Sequence, residues 1–448
     1  MALGGGEFKT MDKSMPGAYI NTVSASAGLS ITGDRGIVAI AIEHDYGNNG
    51  EIMEITPSDF REDSLTLLGY NLYHDKLKGL RELFANSQKV LLYILNKTDK
   101  ASNDYATAKK GGIRGNDITI KVQNNIDNPG SKDVITMLDY IVIDKQTVKT
   151  AKGLRDNALV EFKPNSELAI TAGEKLKGGG NGTATNAEHQ DFLNKLETRH
   201  FNALACMATT KILQNLYVAY TKRMRNEVGL KFATILCEAS DLAGDTTLYD
   251  FEGFVVTVNK VKGKEVKGTE LVPFTAAIYA NAGLGKANLN KAYSGEYEII
   301  ADYTQPQLKE LAKQGRFVYH RVGDTFRVFE DINGLITTSE TKGEEFKDNQ
   351  VIRICDDLAM ADAKVFNEIY LGDVNATKSG MESLENRLIS IRDTFVSENA
   401  LKSYDKESLK VEKIESVGGK KLRGAVKVSC GITPAECFRQ LYMTTRIH

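Results

Sequence analysis

The chain has 448 residues, with 57 Lys and Arg against 59 Asp and Glu and a formal net charge of -2. This length predicts two to four compact units, because one hydrophobic core rarely organises more than about 250 to 300 residues. The balanced charge argues against nucleic acid or an anionic membrane as a partner, since no global field attracts a polyanion.

The N-terminus has neither the basic start nor the apolar core of a secretory signal peptide. The longest apolar runs, 37–42 and 90–95, are much shorter than the roughly 20 residues that span a bilayer. We therefore expect no export by a signal peptide and no transmembrane segment. The five cysteines contain no CxxC pair, which favours buried thiols in a reducing compartment.

Residues 1–24 are predicted to form an extended N-terminal arm that is too polar to bury itself. Residues 25–97 have the pattern of the first part of an α/β core. The elements predicted there are a buried strand at 35–42, helices at 58–74 and 75–86, and a second buried strand at 89–95.

Residues 98–186 are predicted to form an inserted β-rich domain. Its strand patterns, at 118–122, 140–143 and 159–162, are separated by Asn, Asp and Gly. We interpret the glycine-rich segment 177–183 as a flexible connector back to the core.

Residues 187–345 return to the α/β pattern and are predicted to complete the core. The elements predicted there are helices at 192–200 and 213–224, strands at 204–207, 232–237 and 254–258, and a hairpin of strands 317–322 and 325–330. Gly323-Asp324 suits the two-residue turn of that hairpin.

Residues 346–435 are predicted to form a C-terminal domain, in which two amphipathic helices broken at Gly372 and Gly380 precede a hairpin that turns at Gly418-Gly419. Residues 436–448 are predicted to form a C-terminal arm strand. The predicted fold class is therefore a multidomain α/β (α+β) fold, with a mixed sheet core flanked by helices, an inserted β-rich domain and extended terminal strands.

The sequence shows no catalytic constellation. Residues 280–287 approach a phosphate loop, but they lack its first Gly and its final Ser or Thr. The six histidines are scattered without zinc spacing. Neighbouring carboxylates such as Asp356-Asp357 point about 100° apart on a helix and usually mark a solvated face. We predict no enzyme activity, no catalytic residue, no metal and no cofactor.

Six segments, taken in their order and spacing, resemble the contractile tail sheath proteins of phages, defective prophages and R-type bacteriocins. They are PGAYI (16–20), RGIVA (35–39), KGGIRGNDI (110–118), AAIYAN (276–281), VFEDINGL (328–335) and IYLG (369–372). The resemblance spans nearly the whole chain. It implies a structural subunit that polymerises as stacked hexameric rings around a tail tube and contracts to drive the tube through a target cell envelope.

The resemblance further implies a tail tube protein, baseplate and tail terminator proteins as partners, besides further copies of this chain in a helical tube. It implies no nucleic acid and no direct membrane insertion. The subunit would assemble in the host cytoplasm and then be part of the released virion or bacteriocin tail.

The resemblance also implies that the terminal arms join subunits, and the residue pattern agrees with this. A terminal strand without a partner in its own chain can pair with the sheet edge of another chain. The predicted intersubunit contacts are Tyr19, Ile20, Val23, Leu441, Met443, Thr445 and Ile447. The alternation in the C-terminal arm places its four residues on one side of the strand.

Some alternatives remain open at this point. Lys364, Glu368, Arg387 and Arg392 on the C-terminal helices fit either tube contacts or a solvated face, and the solvated face is the commoner case. Two rival functions are another self-assembling tail or capsid subunit and an α/β enzyme acting on a nucleotide or sugar. The incomplete phosphate loop counts against the enzyme.

Overall fold

The computed structural model describes residues 35–48, 50–242, 247–264, 268–417 and 420–447. The predicted contacts Tyr19, Ile20 and Val23 and the predicted turn at Gly418-Gly419 lie outside the described residues.

The described residues form both strands and helices. The strands are β1 (Ile37–Ile42), β2 (Ile52–Ile55), β3 (Lys89–Ile94), β4 (Ala106–Ala108), β5 (Ile118–Asn124), β6 (Lys132–Leu138), β7 (Ile141–Val148), β8 (Val160–Phe162), β9 (Thr171–Lys175), β10 (Ala203–Cys206), β11 (Ala233–Cys237), β12 (Phe254–Thr257), β13 (Lys260–Val261), β14 (Ile299–Ile300), β15 (Arg316–Phe317), β16 (Tyr319–Val322), β17 (Thr325–Val328), β18 (Leu401–Tyr404), β19 (Lys410–Val417), β20 (Lys420–Ser429) and β21 (Ile432–Pro434). The helices are α1 (Pro57–Leu68), α2 (Lys78–Asn86), α3 (Asn186–Leu196), α4 (Lys211–Arg223), α5 (Val272–Asn281), α6 (Gln305–Lys313), α7 (Asn349–Val365) and α8 (Lys378–Ser397). The predicted multidomain α/β fold, with a mixed sheet flanked by helices and an inserted β-rich part, is confirmed.

The centre of the molecule is a seven-stranded sheet of order β15-β12-β11-β10-β1-β3-β2, in which only β2 is antiparallel to its neighbour. Because both faces of this sheet are covered, β1 is apolar throughout instead of alternating. Val38 and Ile40 pack in one core layer with α2 and α5, and Ala39 and Ala41 pack in the opposite layer with α3 and α4. The buried strand predicted here is confirmed.

The inserted β-rich part contains an antiparallel sheet of order β7-β6-β5-β9 beside the short pair β4-β8. On β5, Ile118, Ile120 and Val122 point into a core while the residues between them are half-buried, as expected when one sheet face is covered. Tyr46, which follows β1, also lies in this core and is fully buried. The sequence patterns did not predict β6, one of the two inner strands of this sheet.

The glycine-rich segment is not the flexible connector that we predicted. Gly182 N donates to Lys97 O at 2.7 Å, and Asp99 N donates to Gly180 O at 2.9 Å. A Cβ at position 182 would lie 2.0 Å from Lys97 O. These glycines therefore allow the backbone segments 97–99 and 180–182 to lie in close contact.

The predicted hairpin is confirmed, because β16 pairs with β17 in a register that joins Val322 to Thr325 across Gly323 and Asp324. Gly323 has φ +58°, which the tight turn favours.

Three helix predictions have wrong boundaries. The helix predicted at 192–200 begins at Asn186 and ends at Leu196. The helix predicted to reach residue 74 ends at Leu68, where Gly69 adopts φ +76° and its N–H caps Leu65 O. Gly380 does not break the second C-terminal helix but lies in its first turn, where its N–H donates to the Oγ1 of the N-cap Thr377 at 3.3 Å.

The sequence suggested that Asp356 and Asp357 mark a solvated face, and this prediction is wrong. Asp356 accepts two hydrogen bonds from Arg225 at 2.7 and 2.9 Å, and Asp357 accepts two from Arg35 at 2.6 Å. Both arginines belong to the sheet-containing core, so these ion pairs fasten α7 to it. Burial raises the pKa of Asp357, and the neighbouring Arg35 opposes that rise.

The cysteine prediction holds only in part. Cys206 and Cys237 are buried, whereas Cys355, Cys430 and Cys437 are half-buried.

Candidate assembly interface in the C-terminal region

The last described residues, 435–447, adopt neither helix nor strand. Their first half is anchored, because Cys437 N donates to the Oε1 of Gln350 at 3.1 Å, and Arg439 pairs with Asp348 and, at 3.1 Å, with Glu330. Burial raises the pKa of both carboxyl groups, and Arg439 opposes the rise.

Beyond Arg439 the segment 440–447, here called the C-terminal arm, exposes large apolar side chains. Leu441 is 85% exposed, Met443 78% and Ile447 97%, and Thr445 is exposed as well. The strand predicted for these residues does not form within the chain itself. Exposed apolar side chains in one run form the kind of surface that a protein partner, a membrane or a ligand can cover.

The strands of the C-terminal part form two antiparallel pairs, β18 with β21 and β19 with β20, which are together called the ribbon here. One face of this ribbon packs on α8 through Leu401, Leu409 and Val411. A two-stranded pair has an unpaired backbone at each edge, and an unpaired edge readily accepts another strand. In the described part of the chain, no further strand pairs with β20 or β21.

A groove of about 700 Å³ lies between this ribbon and α7. Its apolar lining comes from the two C-terminal helices and from β20 and β21, and includes Leu358, Phe366, Leu388, Val426, Val428 and Ile432. A second hollow of about 280 Å³ shares Phe366, Leu384, Gly424 and Val426 with it. The two hollows share these lining residues and are together called the ribbon groove here.

Among the charged residues that we considered for tube contact, Arg392 is only 5% exposed. Its guanidinium donates to both carboxylate oxygens of Asp362 at 2.7 Å, across the interface of α7 and α8. Arg392 therefore holds the two helices together and is neither a tube contact nor part of a solvated face. Glu368 and Arg387 are exposed, and Lys364 is half-buried.

Within the described ranges, no group of three or more His, Cys, Asp or Glu side chains is arranged to hold a metal ion. Across the same part of the chain, no helix combines the length and apolar character needed to cross a bilayer.

Three family descriptions match the chain in succession. They are the phage tail sheath protein beta-sandwich domain at residues 96–181, the phage tail sheath protein central domain at 182–334, and the phage tail sheath C-terminal domain at 341–448. The chain belongs to the phage tail sheath protein family. This sheath protein is therefore a structural protein and not an enzyme.

Individual relatives agree with this assignment. The sheath protein is 25% identical to the phage-like element PBSX protein XkdK of Bacillus subtilis (strain 168), over 100% of both chains. The solved structure of a sheath tail protein from Desulfitobacterium hafniense is 28% identical, with a TM-score of 0.79 over 96% of this chain and 100% of that one. A sheath tail protein from Listeria innocua is also 28% identical, with a TM-score of 0.75 over 92% and 95% of the two chains.

The fold also extends to a more distant assembly. A chain from the helical sheath of the anti-feeding prophage, solved in the contracted state, has a TM-score of 0.55 over 97% of this sheath protein and 99% of that chain. At 12% identity this likeness concerns the fold alone.

Proposed function

We propose that this chain is the repeating subunit of a contractile tail sheath, that it polymerises as stacked hexameric rings around a tail tube, and that contraction of the sheath drives the tube through a target cell envelope. The observation that carries this proposal is the coexistence of an exposed apolar arm and an open apolar groove in one chain. A chain that carries both can join copies of itself without limit, which is what a helical sheath requires. The family assignment supports this proposal.

The proposed division of labour follows the sequence prediction. Residues 25–97 and 187–345 form the core, residues 98–186 form an outer inserted domain, and residues 346–435 form an inner C-terminal domain. The arms, 1–24 and 436–448, join neighbouring subunits.

In this proposal the C-terminal arm of one subunit enters the ribbon groove of a neighbour and adds a strand beside β20. Residues 441–447 span about 20 Å when extended, and the stretch from Gly424 to Ile432 spans about 26 Å, at roughly 3.3 Å per residue step. Leu441 and Met443 lie on the same side of an extended strand and would both face the groove. The added strand would satisfy the open backbone edge and cover apolar surface of α7.

Such a joint suits a sheath that changes its length. Each main-chain hydrogen bond of the added strand contributes about 1 kcal/mol net, and each buried apolar side chain contributes about 1.5 to 3 kcal/mol. Neighbours therefore stay tethered while the folded cores slide and dock again on different surfaces. Tyr19, Ile20 and Val23 of the N-terminal arm remain predicted contacts of the same kind.

Deletion of residues 440–448 tests the proposal directly. The shortened chain should keep the circular dichroism spectrum of the intact subunit, because Leu441, Met443 and Ile447 are exposed in the free chain. It should form no tubes by electron microscopy. Deletion of residues 1–24 should likewise prevent normal tubes. Tubes of ordinary length from both deletion variants would refute the assignment of the arms.

Cross-linking identifies the acceptor. Cys430 lies in the wall of the ribbon groove, so a Met443→Cys substitution places a second thiol on the proposed incoming strand. Mild oxidation of assembled Met443→Cys protein should give covalent chains of subunits that reductant dissolves. Ile126→Cys, in an exposed loop of the inserted domain, provides the matched control and should give no such chains.

The proposed partners are a tail tube protein inside the sheath and baseplate and tail terminator proteins at its ends. The proposed location is the host cytoplasm during assembly, and then the released virion or bacteriocin tail. Purified subunits should polymerise to greater length on a preformed tail tube than alone, as measured by electron microscopy. Equal lengths with and without the tube would contradict the partnership.

A further inference from the structure

The segment Lys110 to Asp117 makes contacts that the proposed strand exchange does not explain. These contacts lie at the C-terminal end of α1, where the last carbonyl groups of the helix lack partners within it. The last turn of α1 contains no basic residue of its own. Cations at this end of a helix are stabilising, because the aligned peptide dipoles leave partial negative charge there.

Two cationic side chains of the inserted domain occupy this position. Lys110 Nζ donates to Leu67 O at 2.7 Å and to Thr66 O at 3.3 Å. Arg114 Nε donates to Gly69 O at 2.6 Å. The end of a helix in one domain is therefore capped by the side chains of another.

The guanidinium of Arg114 contacts two carboxylates and one aromatic ring. It donates to Asp117 at 2.8 Å and to Asp139, and it lies 4.8 Å from the centre of the Tyr70 ring. Tyr70 follows α1 directly, and its hydroxyl donates to Asp45 at 2.7 Å. Arg114 is only 8% exposed, whereas its carboxylate partners Asp117 and Asp139 keep part of their surface in water.

Lys110 is half-buried at the same junction. Its Nζ lies 5.7 Å from the centre of the Tyr46 ring, and both hydrogen-bond acceptors described for it are carbonyl oxygens of α1. Burial lowers the pKa of Lys110 to about 8. An ammonium group withdrawn from water to this degree depends on those carbonyls for its hydrogen bonds.

The backbone closes the same junction. Arg114 N donates to Asp45 O at 3.2 Å, and Gly47 N donates to Gly111 O at 2.9 Å. Gly112 has φ +115°, and a Cβ there would lie 1.9 Å from Asp45 O. Only glycine allows the two chain segments to approach so closely.

The junction lies beyond the carboxyl end of β1, where open α/β sheets commonly bind a ligand. Here Asp45 accepts a hydrogen bond from Asn181, at 2.7 Å, at the base of the inserted domain. The inserted domain thus meets the core through a third set of contacts, in addition to its two covalent connections.

We propose that Lys110 and Arg114 form a clasp on the C-terminal end of α1 that fixes the orientation of the inserted domain relative to the central sheet. With the clasp closed, the two parts move as one rigid body. With it open, the inserted domain turns about its two backbone connections. The clasp is a property of a single subunit and does not depend on the proposed assembly.

Measurement of a distance between the two parts tests the clasp. Spin labels on keto amino acids at Ile126 of the inserted domain and Ile212 of α4 avoid the native cysteines, and both positions are exposed. Electron–electron double resonance on the intact chain should give one narrow distance distribution. The double variant Lys110→Met with Arg114→Met should give a broad one, and Lys109→Met is the matched control that should stay narrow. A folded double variant with an unchanged distribution would overturn the proposal.

A second measurement covers the case in which the double variant does not fold. In the single variant Lys110→Met, hydrogen exchange of the Gly69 and Arg114 amides should accelerate about tenfold, because local opening loses a charged hydrogen bond. Exchange in the core strand β5 should stay the same, and Lys110→Arg, which keeps the charge, should restore slow exchange. Unchanged exchange at Gly69, or failure of Lys110→Arg to restore it, would show that the cap is not what closes the junction.

Discussion

Truncation of two arm side chains gives the sharpest test of how the subunits are joined. Leu441→Ala with Met443→Ala removes about three methylene-sized groups from each side chain, each worth about 0.8 kcal/mol on burial. Leu441 is 85% and Met443 78% exposed in the free subunit, so about four-fifths of this burial remains to be gained on assembly. The loss is about 2 kcal/mol per side chain, or about 4 kcal/mol per joint.

A loss of about 4 kcal/mol corresponds to roughly a thousandfold weaker contact. The assay is the critical concentration for tube formation, measured by sedimentation and checked by electron microscopy. The control is the pair Ile126→Ala and Ile170→Ala, which removes exposed apolar groups from the inserted domain. The control should polymerise like the unmodified protein. A critical concentration for the arm variant equal to that of the control would refute burial of these side chains at the joint.

Three further predictions concern the folded subunit. Gly112→Ala should lower the free energy of unfolding by about 3 kcal/mol in a urea titration, because the added Cβ meets backbone atoms at a positive φ. Gly130→Ala is the control and should lower it less, because a Cβ there meets no atom within 4 Å. Arg225→Met should cost about 3 to 5 kcal/mol in urea unfolding, because it leaves Asp356 without its partner, and a loss below about 1 kcal/mol would contradict this. Burial lowers the pKa of His44. Below about pH 6.5 the unfolded chain therefore binds a proton that the folded chain does not. The free energy of unfolding should then fall by up to about 1.4 kcal/mol for each pH unit. His44→Gln should show a weaker loss between pH 7 and pH 5.5, and an identical loss would show that other groups cause it.

Local patterns in the sequence were sufficient to predict the central elements. The apolar run of β1 indicates a strand with both faces covered, since such a strand has no polar face to alternate. Gly323-Asp324 between two apolar-rich segments indicates a hairpin, because a two-residue turn needs positive φ. Boundaries were predicted less well, since Gly69 ends a helix that the apolar pattern continues, and Gly380 is satisfied inside a first turn by the cap on Thr377.

The exposed arm could also be anticipated, because an alternating terminal segment with no partner of its own is visible in sequence. The ribbon groove could not be anticipated from the sequence. It arises where β20 passes α7, and no local pattern reports which surface of a helix a distant ribbon leaves uncovered.

The lack of any local signal for distant contacts also explains why the ion pairs of Asp356 and Arg392 were not predicted from the sequence. Asp356 looked like part of a solvated face because its partner Arg225 lies 131 positions away, and Arg392 looked exposed because Asp362 belongs to another helix. The sequence by itself determined many of the central strands and helices, the resemblance to the family and the alternating pattern of residues 441–447, because these depend on the period and order of residues. Only the tertiary structure decided which charges are buried as pairs, where the groove opens and how the inserted domain is clasped, because these depend on distances between segments far apart in the chain.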